Sequence, residues 1–238
     1  LPENPLLPHR KLKELHALML RCRELEQKQR PRYSREALLA ATAIHLSPGD
    51  LLITAANDPA AQLAPTQPRA KKSVPPPQTA PAANLPRITL AAAAAQGLKA
   101  ANTESIVLAY TPPGAAEPNW PEALTWAHAN SFPLILACAA TYAPQPRASK
   151  SSALAWDAVS KLGARLQLPV VPVDGEDAVA IYRVMQESIL RARTGGGPAI
   201  LWAMLNPAPL PRSQRPTARL EAYLKARNIK TPPLTPPA

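Results

Sequence analysis

A doubly wound α/β fold, a mainly parallel sheet with helices on both faces, is the architecture this chain predicts. Four short apolar runs, Ile106–Tyr110, Leu134–Cys138, Val170–Val173 and Ala199–Trp202, lack the polar alternation of a strand with one wet face. Helical patterns stand before or after each of them. Strands of this kind separated by helices describe a parallel sheet covered on both sides. With 238 residues and 46% apolar composition the chain can bury a sizeable core, so a single domain over 1–238 is the expected organisation.

Element by element, Leu12, Leu15, Leu18/Met19, Cys22 and Leu25 recur at three- and four-residue steps, which predicts a helix with one buried stripe. Ala37–Ala43 is helical in composition, and Ser47-Pro48-Gly49-Asp50 ends it before a short strand at Leu51–Thr54. Proline, 31 residues in all, clusters in Pro48–Pro86, Pro112–Pro146 and Pro207–Pro237. Residues 64–86 read as a Pro-rich linker or shortened loop, with Ser73–Pro86 extended and poorly ordered. Thr89 is the expected N-cap of an alanine-rich helix over Leu90–Ala101. Residues 206–238 read as a C-terminal helix, at Arg219–Ile229, followed by a Pro-rich tail.

Two motifs carry a chemical reading and a structural one. Asp174-Gly175-Glu176-Asp177 could gather three acids around a cation, but it follows a strand run and precedes the helical stretch Ala178–Arg193. A turn at Gly175 and an N-cap at Asp177 account for it better. Gly195-Gly196-Gly197 follows a helix and precedes a strand, the reverse of a phosphate loop, and reads as a helix stop. His9, His16, His45 and His128 have no paired Ser, Cys or second His at catalytic spacing, and no Gly-x-Ser-x-Gly element is present. No metal site and no catalytic residue is therefore expected.

The net charge of +11 sits at the two ends. Residues 1–35 hold nine Lys/Arg against four acids, residues 36–205 twelve against eleven, and residues 206–238 six against one. Aromatics are scarce at 4%, and the basic residues interleave with Glu, so nucleic-acid binding is disfavoured and an acidic protein surface is the better match. The absence of an apolar run of about 18 residues argues against a membrane span. Cys22 and Cys138 lack disulfide or metal spacing and read as core thiols, which together with the lack of an apolar leader suggests a cytoplasmic protein.

The stretch Ile106–Tyr142, with Glu122-Ala123-Leu124 after a Pro/Gly turn and Phe132-Pro133 before the second apolar run, resembles the alpha subunit of thiamine-diphosphate-dependent 2-oxoacid dehydrogenases, the decarboxylating component. Leu12–Lys28, Arg35–Ala60, Leu85–Ala101, Val170–Trp202 and Arg219–Ile229 extend the resemblance in order. It implies the thiamine-diphosphate-binding fold, a beta-type partner in an α₂β₂ assembly, and acyl transfer to a lipoyl-bearing acyltransferase. In that family the first strand ends in Gly-Asp-Gly and the second in Asn-Asn, and these hold the Mg²⁺ and diphosphate. Thr111, Pro112 and Pro113 stand at the first motif and Ala140 and Thr141 at the second. Ala56 and Asn57 stand at the family's diphosphate-contacting Tyr and Arg, with Asp58 as the retained neighbour. Prolines remove N–H donors and alanines offer no oxygen for a hard cation.

The resemblance thus implies a degenerate alpha-type chain with neither cofactor nor Mg²⁺, acting as a structural, assembly or regulatory partner of a beta-type subunit or of its own copy. Glu122 is then structural. Two rival readings stand beside it. One is an active alpha subunit with Glu117, Asn119 or Thr141 in an altered metal shell, and the other is a basic module for an acidic surface or nucleic acid.

Overall fold

The computed structural model describes residues 7–27, 33–54, 78–81, 86–112, 117–141, 154–206 and 210–230. Six strands form one sheet: β1 (Leu51–Thr54), β2 (Gln78–Pro81), β3 (Val107–Thr111), β4 (Leu134–Thr141), β5 (Val170–Asp174) and β6 (Ala199–Leu205), ordered β2-β1-β3-β4-β6-β5. Every pairing is parallel. Helices α1 (His9–Gln27), α2 (Glu36–Ala43), α3 (Arg87–Ala100), α4 (Trp120–Ala129), α5 (Trp156–Leu166), α6 (Ala178–Arg193) and α7 (Pro216–Ala226) cover it.

Side chains of successive strand residues point to opposite faces, and this divides the interior into two cores. On β4, Ile135, Ala137 and Ala139 join one core with Leu108, Tyr110, Leu201 and Ala203, packed under α1, α2, α6 and α7. Leu134, Leu136, Cys138 and Ala140 join the other with Val107, Ala109, Ile200 and Trp202, under α3, α4 and α5. A parallel sheet covered on both faces needs strands that are apolar on both sides, which is why these runs show no alternation.

Asp177 caps α6 as expected, its Oδ1 accepting from Val179 N and Ala180 N at 3.0 Å each. The glycine stop holds too: Gly195 and Gly197 adopt φ of +81° and +80°, and Gly196 N donates to Arg191 O at 2.8 Å. This closes α6 with a left-handed turn that residues with a Cβ rarely adopt.

Three expectations are corrected. Within the stretch read as an ill-ordered linker, Gln78–Pro81 adds a parallel edge strand to β1, in register Leu51↔Gln78 to Thr54↔Pro81. An edge position tolerates a residue without an N–H, so proline content concealed the strand. Thr89 is not the cap of α3, which begins at Arg87 after Pro86, without a side-chain cap from that position. Finally, β4 continues past Cys138 to Thr141, because Ala139, Ala140 and Thr141 pair with Ala203, Met204 and Leu205. The remaining residues of the linker and those of the tail at 231–238 lie outside the described residues.

Candidate functional site

Strand order reverses between β1, whose other neighbour is β2, and β3, which leads on to β4. In open α/β sheets ligands bind beyond the carboxyl ends of the strands at such a reversal. Here those ends are Thr54 and Thr111. Both residues are buried; among the described residues the Thr54 hydroxyl has no hydrogen-bond partner and the Thr111 hydroxyl has only the weak Cys138 thiol beside it. A buried hydroxyl left unpaired carries a desolvation cost of about 1–3 kcal/mol, so Thr54 marks this edge as unsatisfied.

Thr111 lies beside Cys138 on β4. Burial pushes the Cys138 thiol up to about 12, the Thr111 hydroxyl pulls slightly the other way, and Glu117 adds to the rise. The thiol is thus neutral and an inert part of the core. Beyond it, Ala139 and Ala140 are nearly covered, and Thr141 closes the strand.

Glu117 is the buried carboxylate of the loop between β3 and α4, only 1% exposed. Its Oε1 receives the Arg87 guanidinium at 3.3 Å and its Oε2 the Ile88 N–H at 3.4 Å. It therefore sits against the N-terminal turn of α3, where the helix dipole favours an anion. The role expected of Thr89 is filled from another loop, 29 residues away in sequence. The Arg87 Nε is buried without a partner.

Of the family-aligned positions, Thr111 and Pro112 end and follow β3, and Ala140 and Thr141 lie inside β4 and are not in a loop beyond it. Ala56, Asn57 and Pro113 lie outside the described residues. The alternative metal shell is not gathered: Glu117 is committed to Arg87 and α3, while Asn119 is an exposed left-handed residue, φ 61°, preceding α4. Glu122 is exposed in the first turn of α4. Among the described residues no group of three or more His, Cys, Asp or Glu is placed to hold a metal.

The histidines are scattered. Burial lowers His45 to about 4, its Nε2 meeting Tyr182 O at 3.1 Å, and His16 Nε2 meets Glu221 at 3.1 Å. His128 keeps a buried, unpartnered Nδ1 on α4. Cys22 and Cys138 are both buried and neither is in a disulfide, as expected of core residues.

Sequence reasoning missed Asp50 as anything beyond a turn residue. The Asp50 carboxylate is fully buried, receives Ser47 N at 2.6 Å and Ile106 N at 2.9 Å, and pairs with Arg193 Nη2 at 2.7 Å. The Ser47-Pro48-Gly49-Asp50 turn was legible, but the Arg193 partner is 143 residues away and left no local signal. No described helix is long and apolar enough to cross a membrane.

The parallel, doubly wound sheet, with its order reversing between β1 and β3, is a fold found in other proteins. Two solved structures share it at 12% identity each. One is a thiamin diphosphate-dependent enzyme from Mycobacterium smegmatis, with a TM-score of 0.51 over 73% of this chain and 32% of that one. The other is benzoylformate decarboxylase from Polynucleobacter necessarius, with a TM-score of 0.50 over 74% and 34%. Residues 66–205 match the family described as Dehydrogenase E1 component, and the chain belongs to that family. It is 42% identical over 52 residues to the alpha subunit of acetoin:2,6-dichlorophenolindophenol oxidoreductase of Bacillus subtilis strain 168. That stretch is 22% of this chain and 16% of the relative, so the chain matches only a small part of the relative's length.

Proposed function

We propose that this chain is an alpha-type subunit that keeps the thiamine-diphosphate-binding fold without gripping the cofactor. It serves as a structural, assembly or regulatory partner of a beta-type subunit or of a second copy of itself. The observation that carries the reading is the donor set at the β1–β3–β4 edge. Among the described residues, Thr54, Thr111 and Thr141 offer hydroxyls, Ala139 and Ala140 offer no side-chain oxygen, and the nearby carboxylate of Glu117 is held by Arg87 and the start of α3. A diphosphate–Mg²⁺ pair needs hard oxygen ligands, carboxylate or carbonyl, in near-octahedral array, and this set does not fit it. The sheet and both cores remain complete, which is what selection for a packed partner would preserve.

Thermal denaturation with thiamine diphosphate and Mg²⁺ tests this directly. A ligand present at a hundred times its Kd stabilises by about 2.7 kcal/mol, or roughly 5–10 °C in a domain of this size. No shift is expected. A saturable shift of that order would restore the reading as an active alpha subunit.

A further inference from the structure

The charge excess lies at the two ends of the sequence, and the fold brings those ends together. His16 on α1 meets Glu221 on α7 at 3.1 Å, and Arg23 donates to the Thr217 hydroxyl at 3.4 Å. The two pairs fix the direction: seven residues forward along α1 correspond to four residues back along α7, so the helices run antiparallel. The N-terminal half of α1 therefore lies beside the C-terminal half of α7. Arg10 and Lys13 are exposed on α1 at this end, and Lys225 and Lys230 are exposed at and beyond the end of α7. None of the four is paired among the described residues. The nearby acids are already engaged, Glu14 by Lys11 at 2.9 Å and Glu221 by His16.

An open cavity of about 470 Å³ lies at the same end of α7. Leu224 and Ile229 form its apolar floor, with Glu221, Lys225, Asn228 and Lys230 around it. It lies away from the candidate cofactor edge, because Arg219, nearer the start of α7, is tied to Asp174 at the carboxyl end of β5.

We propose that this end of the α1–α7 pair is a docking site for an acidic segment of a partner protein, one apolar side chain entering the cavity and flanking carboxylates meeting Lys225, Lys230, Arg10 and Lys13. Charge complementarity selects the occupant, since residues 36–205 are nearly neutral and the exposed cations Arg10, Lys13, Lys225 and Lys230 at this end have no acid paired with them among the described residues. A nucleic-acid strand fits less well. Stacking needs open aromatic faces, whereas the Tyr223 ring is covered by Arg227 at 4.6 Å and the cavity floor is aliphatic. Glu221 on the rim would also repel a continuous run of phosphates. The proposal rests on the reading of the chain as a partner subunit and names the surface and the chemistry of what it meets.

Fluorescence anisotropy of the full chain with a labelled glutamate-rich peptide bearing one central leucine tests it. Saturable binding that weakens as salt is raised is expected, because exposed charges are screened. Reversing Lys225→Glu and Lys230→Glu together should weaken it about tenfold, and Arg10→Glu with Lys13→Glu by less. Exchanging the peptide's leucine for asparagine should cost about fivefold. All four lysine and arginine positions are exposed, so unchanged melting temperatures will separate lost binding from lost folding. The proposal is overturned if the peptide does not bind, if a lysine-for-glutamate control binds equally, if a single-stranded oligonucleotide binds more tightly, or if the lysine reversal changes nothing. Stabilisation by thiamine diphosphate alongside intact peptide binding would sink the cofactor-free reading and leave this surface standing.

Discussion

At the turn between β5 and α6, the acids all have partners. Asp174 accepts from Glu176 N at 2.9 Å and pairs with Arg219 at 2.8 Å, Glu176 accepts from Asn206 N at 3.1 Å, and Asp177 caps α6. Burial opposes the Arg219 charge, but its bond to Asp174 and the surrounding carboxylates raise it further. At the ends of β1 and β3, on the same carboxyl edge of the sheet, Thr54 and Thr111 are buried, the first with no hydroxyl partner among the described residues and the second with only the Cys138 thiol beside it. The contrast teaches that polar residues kept for architecture come with their partners. The two buried threonines at the strand reversal are left without strong ones.

The largest effect should come from Gly175→Ala at the satisfied turn. A Cβ there would lie 2.6 Å from Leu205 Cδ2 and 2.7 Å from Met204 O, and the carbonyl belongs to a paired strand that cannot move. A loss of about 1–3 kcal/mol in urea unfolding is expected; an unchanged midpoint would mean that the turn is looser than its contacts imply. Asp177→Ala comes next, removing both N–H acceptors of α6 at a cost of about 1 kcal/mol, with Asp177→Asn retaining most of the stability.

Thr111→Val should have the smallest effect and the opposite sign. Removing a buried hydroxyl whose one polar neighbour is the weakly hydrogen-bonding Cys138 thiol is expected to leave stability unchanged or raise it by up to about 1 kcal/mol. A clear loss would break the comparison, because it would show that the hydroxyl serves a water or ligand in solution. Chemical denaturation of the three variants under one set of conditions ranks them.

How legible the molecule was in its sequence depends on the distance between cause and partner. The β3, β4 and β6 runs were readable because burial on both faces is written into consecutive residues, and the partly exposed edge strand β5 because its valines are β-branched and a turn follows them. Asp177 and the glycine stop after Arg193 were readable because a cap and its helix are adjacent. β2 was obscured, since proline in an edge strand has the same composition as proline in a linker. Glu117 was considered only as a cation ligand, and its actual partners, Arg87 and Ile88 N, come from a helix whose start was misplaced by three residues. The extent of β4 through Ala140 and Thr141 was also hidden, because alanine becomes strand there through its pairing with β6.

The sequence by itself determined the α/β class, the apolar runs of β3, β4 and β6, and the amount of charge at each terminus. These are properties of residue type and local spacing, which survive without a fold. Only the tertiary structure decided that the two basic ends pack together through α1 and α7, that Asp50 is neutralised by Arg193, and that Thr111 at the strand reversal lies against the Cys138 thiol. Each of those depends on groups far apart in the chain being held within a few ångströms, and hydrogen bonds and ion pairs act over no greater range.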